Sequence, residues 1–61
     1  MNSYGYIETF GYVTSIVAAD AALKAANVTL KNCYFVEGGI VTIEVMGDVA
    51  AVTAAIEAGT H

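Results

Sequence analysis

The chain has no proline and no arginine, only two lysines, one cysteine and one histidine in 61 residues. Each scarcity removes a class of explanation. A lone Cys33 cannot close an internal disulfide, and no residues carry the spacing of a zinc or disulfide framework. Lys24 and Lys31, against a net charge of −4, do not make the basic footprint that displaces counterions, so no nucleic-acid partner is expected. Asp20 and Lys24 interrupt the apolar stretch from Val13 to Val28. No uncharged run reaches the roughly 18–20 residues of a span, so no membrane partner is expected. No basic residue precedes the first apolar run, which argues against a signal peptide and for the cytoplasm. Nor is there a nucleophile–base pair or a phosphate-cradling loop, and Glu37 and Glu44, seven apart, lack a second catalytic group between them. Catalysis is not expected, and neither a cofactor nor a metal is implied.

What the chain does have is apolar surface. Hydrophobic residues make up 57% of it and charged residues 13%. A domain this small buries only about 60% of the surface its unfolded chain exposes, and without a disulfide or metal the remaining support is association. The surplus apolar surface points to coverage by neighbours.

Tyr4 to Phe10 is rich in aromatic and β-branched residues and reads as a strand closed by Gly11. Thr14 or Ser15 then serves as the N-cap of a helix to about Ala26, with Ile16, Ala19, Leu23 and Ala26 as its apolar stripe. Asn27 is expected to end it in a left-handed turn. Val28 to Val36 reads as a second strand weakened at Lys31-Asn32, and Glu37-Gly38-Gly39 as a tight connection in which both glycines can take positive φ. Ile40 to Met46 is the clearest strand: Val41, Ile43 and Val45 alternate with Thr42 and Glu44. Asp48 caps a second helix buried through Val49, Val52 and Ile56, with Gly59 as the C-cap glycine. The order β-α-β-β-α is α+β and ferredoxin-like, one strand short of the split βαβ repeat.

The segments Gly5 to Thr9, Ala18 to Val28, Gly38 to Val45, Gly47 to Val49 and Ala54 to Gly59 together resemble the shell-protein domain of bacterial microcompartments. That family begins with a Gly-x-Ile/Val-Glu-Thr strand. It continues through an Ala-Ala-Asp-Ala helix with a following Lys, the phrase Ala-Asn-Val, a glycine-rich loop and a Gly-Asp-Val turn. The resemblance spans nearly the whole chain and implies a single, partial shell domain at residues 1–61. Its final strand, a Pro-Arg-Pro-His-like edge segment and a C-terminal helix are missing here. It also implies a structural subunit of cyclic hexamer tiles with a central pore, assembling with its own copies, other shell proteins and encapsulated enzymes, in a cytoplasmic microcompartment shell. By resemblance, Glu37, Gly38 and Gly39 line the pore. Lys24 is the tile-edge lysine, with Asp20 and Asn27 supporting the same edge. Where Glu37 stands many relatives have glycine or a small residue, so the carboxylate is a departure. Some relatives hold an iron–sulfur cluster through a pore-loop cysteine, but Cys33 lies upstream of that loop and is expected as a small buried or half-buried residue. Glu8 reads as structural. The alternative is a small ferredoxin-like ligand-binding or regulatory module, which would need convergent polar groups.

Overall fold

The computed structural model describes residues 2–60; His61, to which the sequence assigns no role, lies outside them. Its elements are β1 (Ser3–Phe10), α1 (Tyr12–Ala25), β2 (Thr29–Val36), a 3-10 turn (Glu37–Gly39), β3 (Ile40–Gly47) and α2 (Val49–Gly59). The expected β-α-β-β-α order holds. β3 lies in the middle of a three-stranded sheet, antiparallel to β1 on one side and to β2 on the other. β1 and β2 therefore run parallel to each other, joined by the α1 crossover around β3, which is the first half of a split βαβ arrangement. Among the described residues neither the outer edge of β1 nor that of β2 has a partner strand.

Strand alternation decides what each face carries. The partners Gly5↔Val45, Ile7↔Ile43 and Thr9↔Val41 are all buried and face the helices. Ile7 and Ile43 are each 1% exposed and form the core with Val45, Val52, Ala18, Ala22 and Ala55. The helices meet the sheet through small residues. A Cβ at Gly5 would lie 2.6 Å from Val52 Cγ1 and from Ile56 Cδ1, so α2 packs where β1 has no side chain. The opposite face of the sheet carries Tyr4, Tyr6, Glu8 and Phe10, and no helix covers it.

Five local expectations are corrected. Helix α1 starts at Tyr12, not after Thr14 or Ser15, because Gly11 (φ 87°) turns the chain and its carbonyl accepts from the Ser15 N–H at 3.2 Å. Ser15 instead lies within the first turn, its hydroxyl donating to the Tyr12 carbonyl at 2.6 Å. The buried face of α1 is Ser15, Ala18 and Ala22, whereas Ile16 is 52% exposed and Leu23 is also exposed. Small side chains bring the helix axis close to the sheet, and the larger ones fall to its flank. Asn27 is not left-handed: the helix passes into extended backbone at Ala26, and among the described residues none other than glycine has positive φ. In α2, Val52 and Ala55 are buried but Val49 is exposed. Gly59 is the last residue of that helix, with Thr60 as the cap. A Cβ at Gly59 would meet Ile7 Cδ1 at 2.6 Å, so its role is close packing. Asp48 caps α2 as expected, accepting from the Ala51 N–H at 2.9 Å.

Candidate functional site

Strand β2 organises the candidate sites. All eight of its residues are exposed, as befits an edge strand that no helix covers. Leu30 pairs with Val45 and Asn32 with Glu44, so Lys31 is an extra residue and forms a β-bulge. The bulge has a consequence for the faces. Leu30 and Phe35, five apart, would point to opposite sides of a regular strand; with the extra residue both face the helices. They line a groove of about 510 Å³ between β2 and α1 with Tyr12, Ile16, Leu23 and Cys33. Phe35 stacks on Tyr12 with ring centroids 5.6 Å apart. Cys33 is exposed rather than buried, because it opens into this groove and not against packed helix side chains.

At the end of β2 the chain turns back through Glu37–Gly39, exposed throughout. Gly38 (φ 81°) and Gly39 (φ 78°) supply the left-handed geometry that the double glycine foreshadows. The Gly39 carbonyl accepts from the Gly11 N–H at 2.8 Å, which ties the loop to the β1–α1 junction. The Glu37 carboxylate stands free of that tie, in solvent.

At the start of β2 lies the second cluster. Lys24 Nζ is 3.0 Å from Asp20 Oδ2, an i,i+4 pair on the last turns of α1, with side chains 76% and 59% exposed. Asn27 is exposed nearby, and its carbonyl faces Gly47. The structure thus brings Asp20 and Lys24 together and holds them away from the loop. From the junction at Gly11 that is tied to the loop, α1 carries Asp20 and Lys24 about 14 and 20 Å away at about 1.5 Å per residue. Glu8, opposite Thr42, is an exposed member of the uncovered sheet face. Glu37 and Glu44 are kept apart by four strand residues, about 13 Å.

One polar constellation was not anticipated. Glu44 is only 8% exposed, yet both carboxylate oxygens are used: Tyr6 Oη donates to Oε2 at 2.5 Å and Asn32 Nδ2 to Oε1 at 2.8 Å. Three strands are joined by one carboxylate. The Asn32 bond, then the Tyr6 bond, hold the Glu44 carboxyl below its usual range against a smaller opposing effect of burial, with Lys31 and Tyr34 adding to the lowering. The same bond to Glu44 raises the Tyr6 phenol. The signal in the sequence was parity: Glu44 falls on the face opposite Ile43, as does Tyr6 relative to Ile7. The third member could not be placed without the bulge.

Among the described residues no three His, Cys, Asp or Glu side chains are placed to hold a metal, and no helix is long and apolar enough to cross a membrane.

Comparison with known proteins places these features in a family. The BMC domain profile matches residues 3–61. A carboxysome shell protein of Hydrogenovibrio crunogenus is 54% identical over 55 residues, covering 90% of this chain and 57% of its own. The major carboxysome shell protein of Halothiobacillus neapolitanus is 54% identical over the same length, with 56% of its own chain covered. The chain thus spans about half the length of the curated relatives it matches. In three dimensions it is similar to a microcompartment protein from Desulfitobacterium hafniense, with a TM-score of 0.92 and 42% identity, over 98% of this chain and 33% of that one.

Proposed function

The chain belongs to the BMC domain family, and from that premise we propose that it is a structural subunit of a bacterial microcompartment shell in the cytoplasm, building tiles and performing no catalysis. Residues 1–61 act as one partial shell domain that associates with its own copies in a hexameric ring, and with other shell proteins. In this reading Glu37, Gly38 and Gly39 face the central opening, and Lys24, with Asp20 and Asn27, meets the next tile.

The observation that carries the reading is the separation of the two clusters along α1. A tile needs one feature near its axis and another at its rim. Helix α1 starts at the junction tied to the loop and carries the Asp20–Lys24 pair towards its far end, so one subunit can offer both. The apolar groove beside β2 and the exposed Phe10, Val13 and Val17 supply surface that neighbours can cover. The groove is lined mainly by apolar side chains, which favours a protein contact over a polar small-molecule site.

Sedimentation equilibrium at tens of micromolar, followed by negative-stain microscopy, tests assembly. Six-fold rings or extended sheets are the expected result. A well-folded monomer across that range would overturn the reading and return the chain to the ligand-binding-module class.

A further inference from the structure

We propose that Glu44 is a positioning residue: acting through Asn32, it selects the bulged register of β2 and so sets the length and placement of the Glu37–Gly39 turn. The functional meaning of that placement rests on the shell reading above, but the register itself does not.

Strand register is ordinarily fixed by burial, since a slip of one residue moves every side chain to the other face. That control is weak for β2, whose eight residues are all exposed. Two registers compete. In the observed one Asn32 lies opposite Glu44, Phe35 opposite Val41 and Val36 opposite Ile40. If the bulge were removed while Leu30 stayed on Val45, Lys31 would lie opposite Glu44, Asn32 opposite Ile43 and Phe35 opposite Ile40. Phe35 would then turn to the uncovered face and leave Tyr12. The connection to β3 would grow by one residue, taking in Val36, and Glu37 would shift with it. The competitor is not empty of merit, because it sets a lysine ammonium against a carboxylate.

Two contacts oppose it. The Tyr12–Phe35 stack holds the far half of β2. At the bulge itself the Asn32–Glu44 hydrogen bond acts, and the Tyr6 hydroxyl fixes the other oxygen of the same carboxylate from β1. A hydrogen bond to a charged group at a nearly buried position is among the stronger single contacts available to an edge strand. The carboxylate is therefore an anchor held by the central strand and its β1 neighbour, to which β2 is clipped.

Hydrogen exchange and proton NMR on the intact chain test this. Asn32→Ala, an exposed substitution, and Glu44→Leu should each accelerate exchange of those residue 33–36 amides that bond to β3, alternate ones along the strand, about tenfold relative to β1 and α2. Both should also weaken the ring-current shifts between Tyr12 and Phe35. Glu44→Gln, which keeps an acceptor for Asn32, should retain most of the protection. In a Glu44→Leu background, Asn32→Ala should add nothing. Unchanged exchange in β2, or equal acceleration in every element, overturns the proposal. Because these readouts belong to the folded chain, failure to form rings leaves them interpretable, and their failure leaves the assembly measurement untouched.

Discussion

The Gly11 amide hydrogen-bonds the Gly39 carbonyl at 2.8 Å, so the turn between β2 and β3 is pinned to the junction that starts α1. All three glycines of this contact region, Gly11, Gly38 and Gly39, have φ near +80° and open space where a Cβ would stand. The cost of a side chain there is therefore backbone strain and not collision. Gly39→Ala should destabilise the fold by about 1–2 kcal/mol, the penalty of left-handed backbone for an L-residue. Urea unfolding at matched concentration measures it; a loss below the error of the method would mean the turn relaxes to another conformation.

Acid should weaken the fold in part through Glu44. Its folded-state pKa lies below the ordinary value of 4.5, through the bonds from Asn32 and Tyr6. A depressed carboxyl contributes stability that is present above the unfolded value and disappears as pH falls through the folded one. Tyr6 behaves in the opposite sense. Its pKa is raised above 10.0, so its contribution is intact below that value and is lost as pH climbs through the folded value. Unfolding midpoints of wild type and Glu44→Gln between about pH 5 and about pH 2 should converge on acidification. A constant difference across that range would place the effect of Glu44 outside its ionisation.

Much of this architecture could be read from the residues. Val41, Ile43 and Val45 alternate because β3 is covered on one face, and the pattern survives because β3 has a strand on each side. Asp48 and the Glu37-Gly38-Gly39 turn announce themselves chemically, one as a side-chain acceptor and the other as backbone freedom. The buried face of α1 was harder. Ala18, Ala19, Ala21 and Ala22 are interchangeable to a hydrophobicity pattern, so the large Ile16 and Leu23 attracted the prediction while Ala18 and Ala22 took the sheet. Start signals competed in the same way. Thr14 and Ser15 are better cap formers than Gly11, yet a left-handed turn at Gly11 sets the helix three to four residues earlier. The Glu44 network was hidden because its members come from three strands and depend on an inserted residue at Lys31.

Lys24 gives a prediction that separates assembly from folding. Its pair with Asp20 is exposed, and pairs of this spacing contribute about 0.3–0.5 kcal/mol. Lys24→Ala should thus leave the unfolding midpoint nearly unchanged. If the amine meets a neighbouring tile, that variant and Lys24→Asp should still form individual rings but no extended sheets in negative stain. Asp20→Asn is the control: it removes the pair and keeps the amine, so sheets should persist. Loss of sheets in Asp20→Asn as well would assign the contact to the pair and not to the lysine alone.

If Glu37 faces the opening, as proposed above, it should decide what a ring of these chains lets through. The side chain is exposed beside two glycines whose Cβ positions face open space, so six copies around one axis would place six carboxylates at a narrow, unobstructed opening. A constriction lined with one sign of charge concentrates counterions and repels co-ions. The glycine amides oppose this by offering donors to anionic solutes. A peptide group carries only a fractional charge, however, whereas each carboxylate carries a full one, so the carboxylates should prevail at neutral pH. The expected pore passes neutral and cationic small molecules and resists anions. Conductance measured with asymmetric salt should show cation selectivity in wild type that falls markedly in Glu37→Gln and weakens as ionic strength screens the ring. Selectivity unmoved by that substitution would put Glu37 away from the lumen, and anion preference in wild type would hand control to the glycine amides.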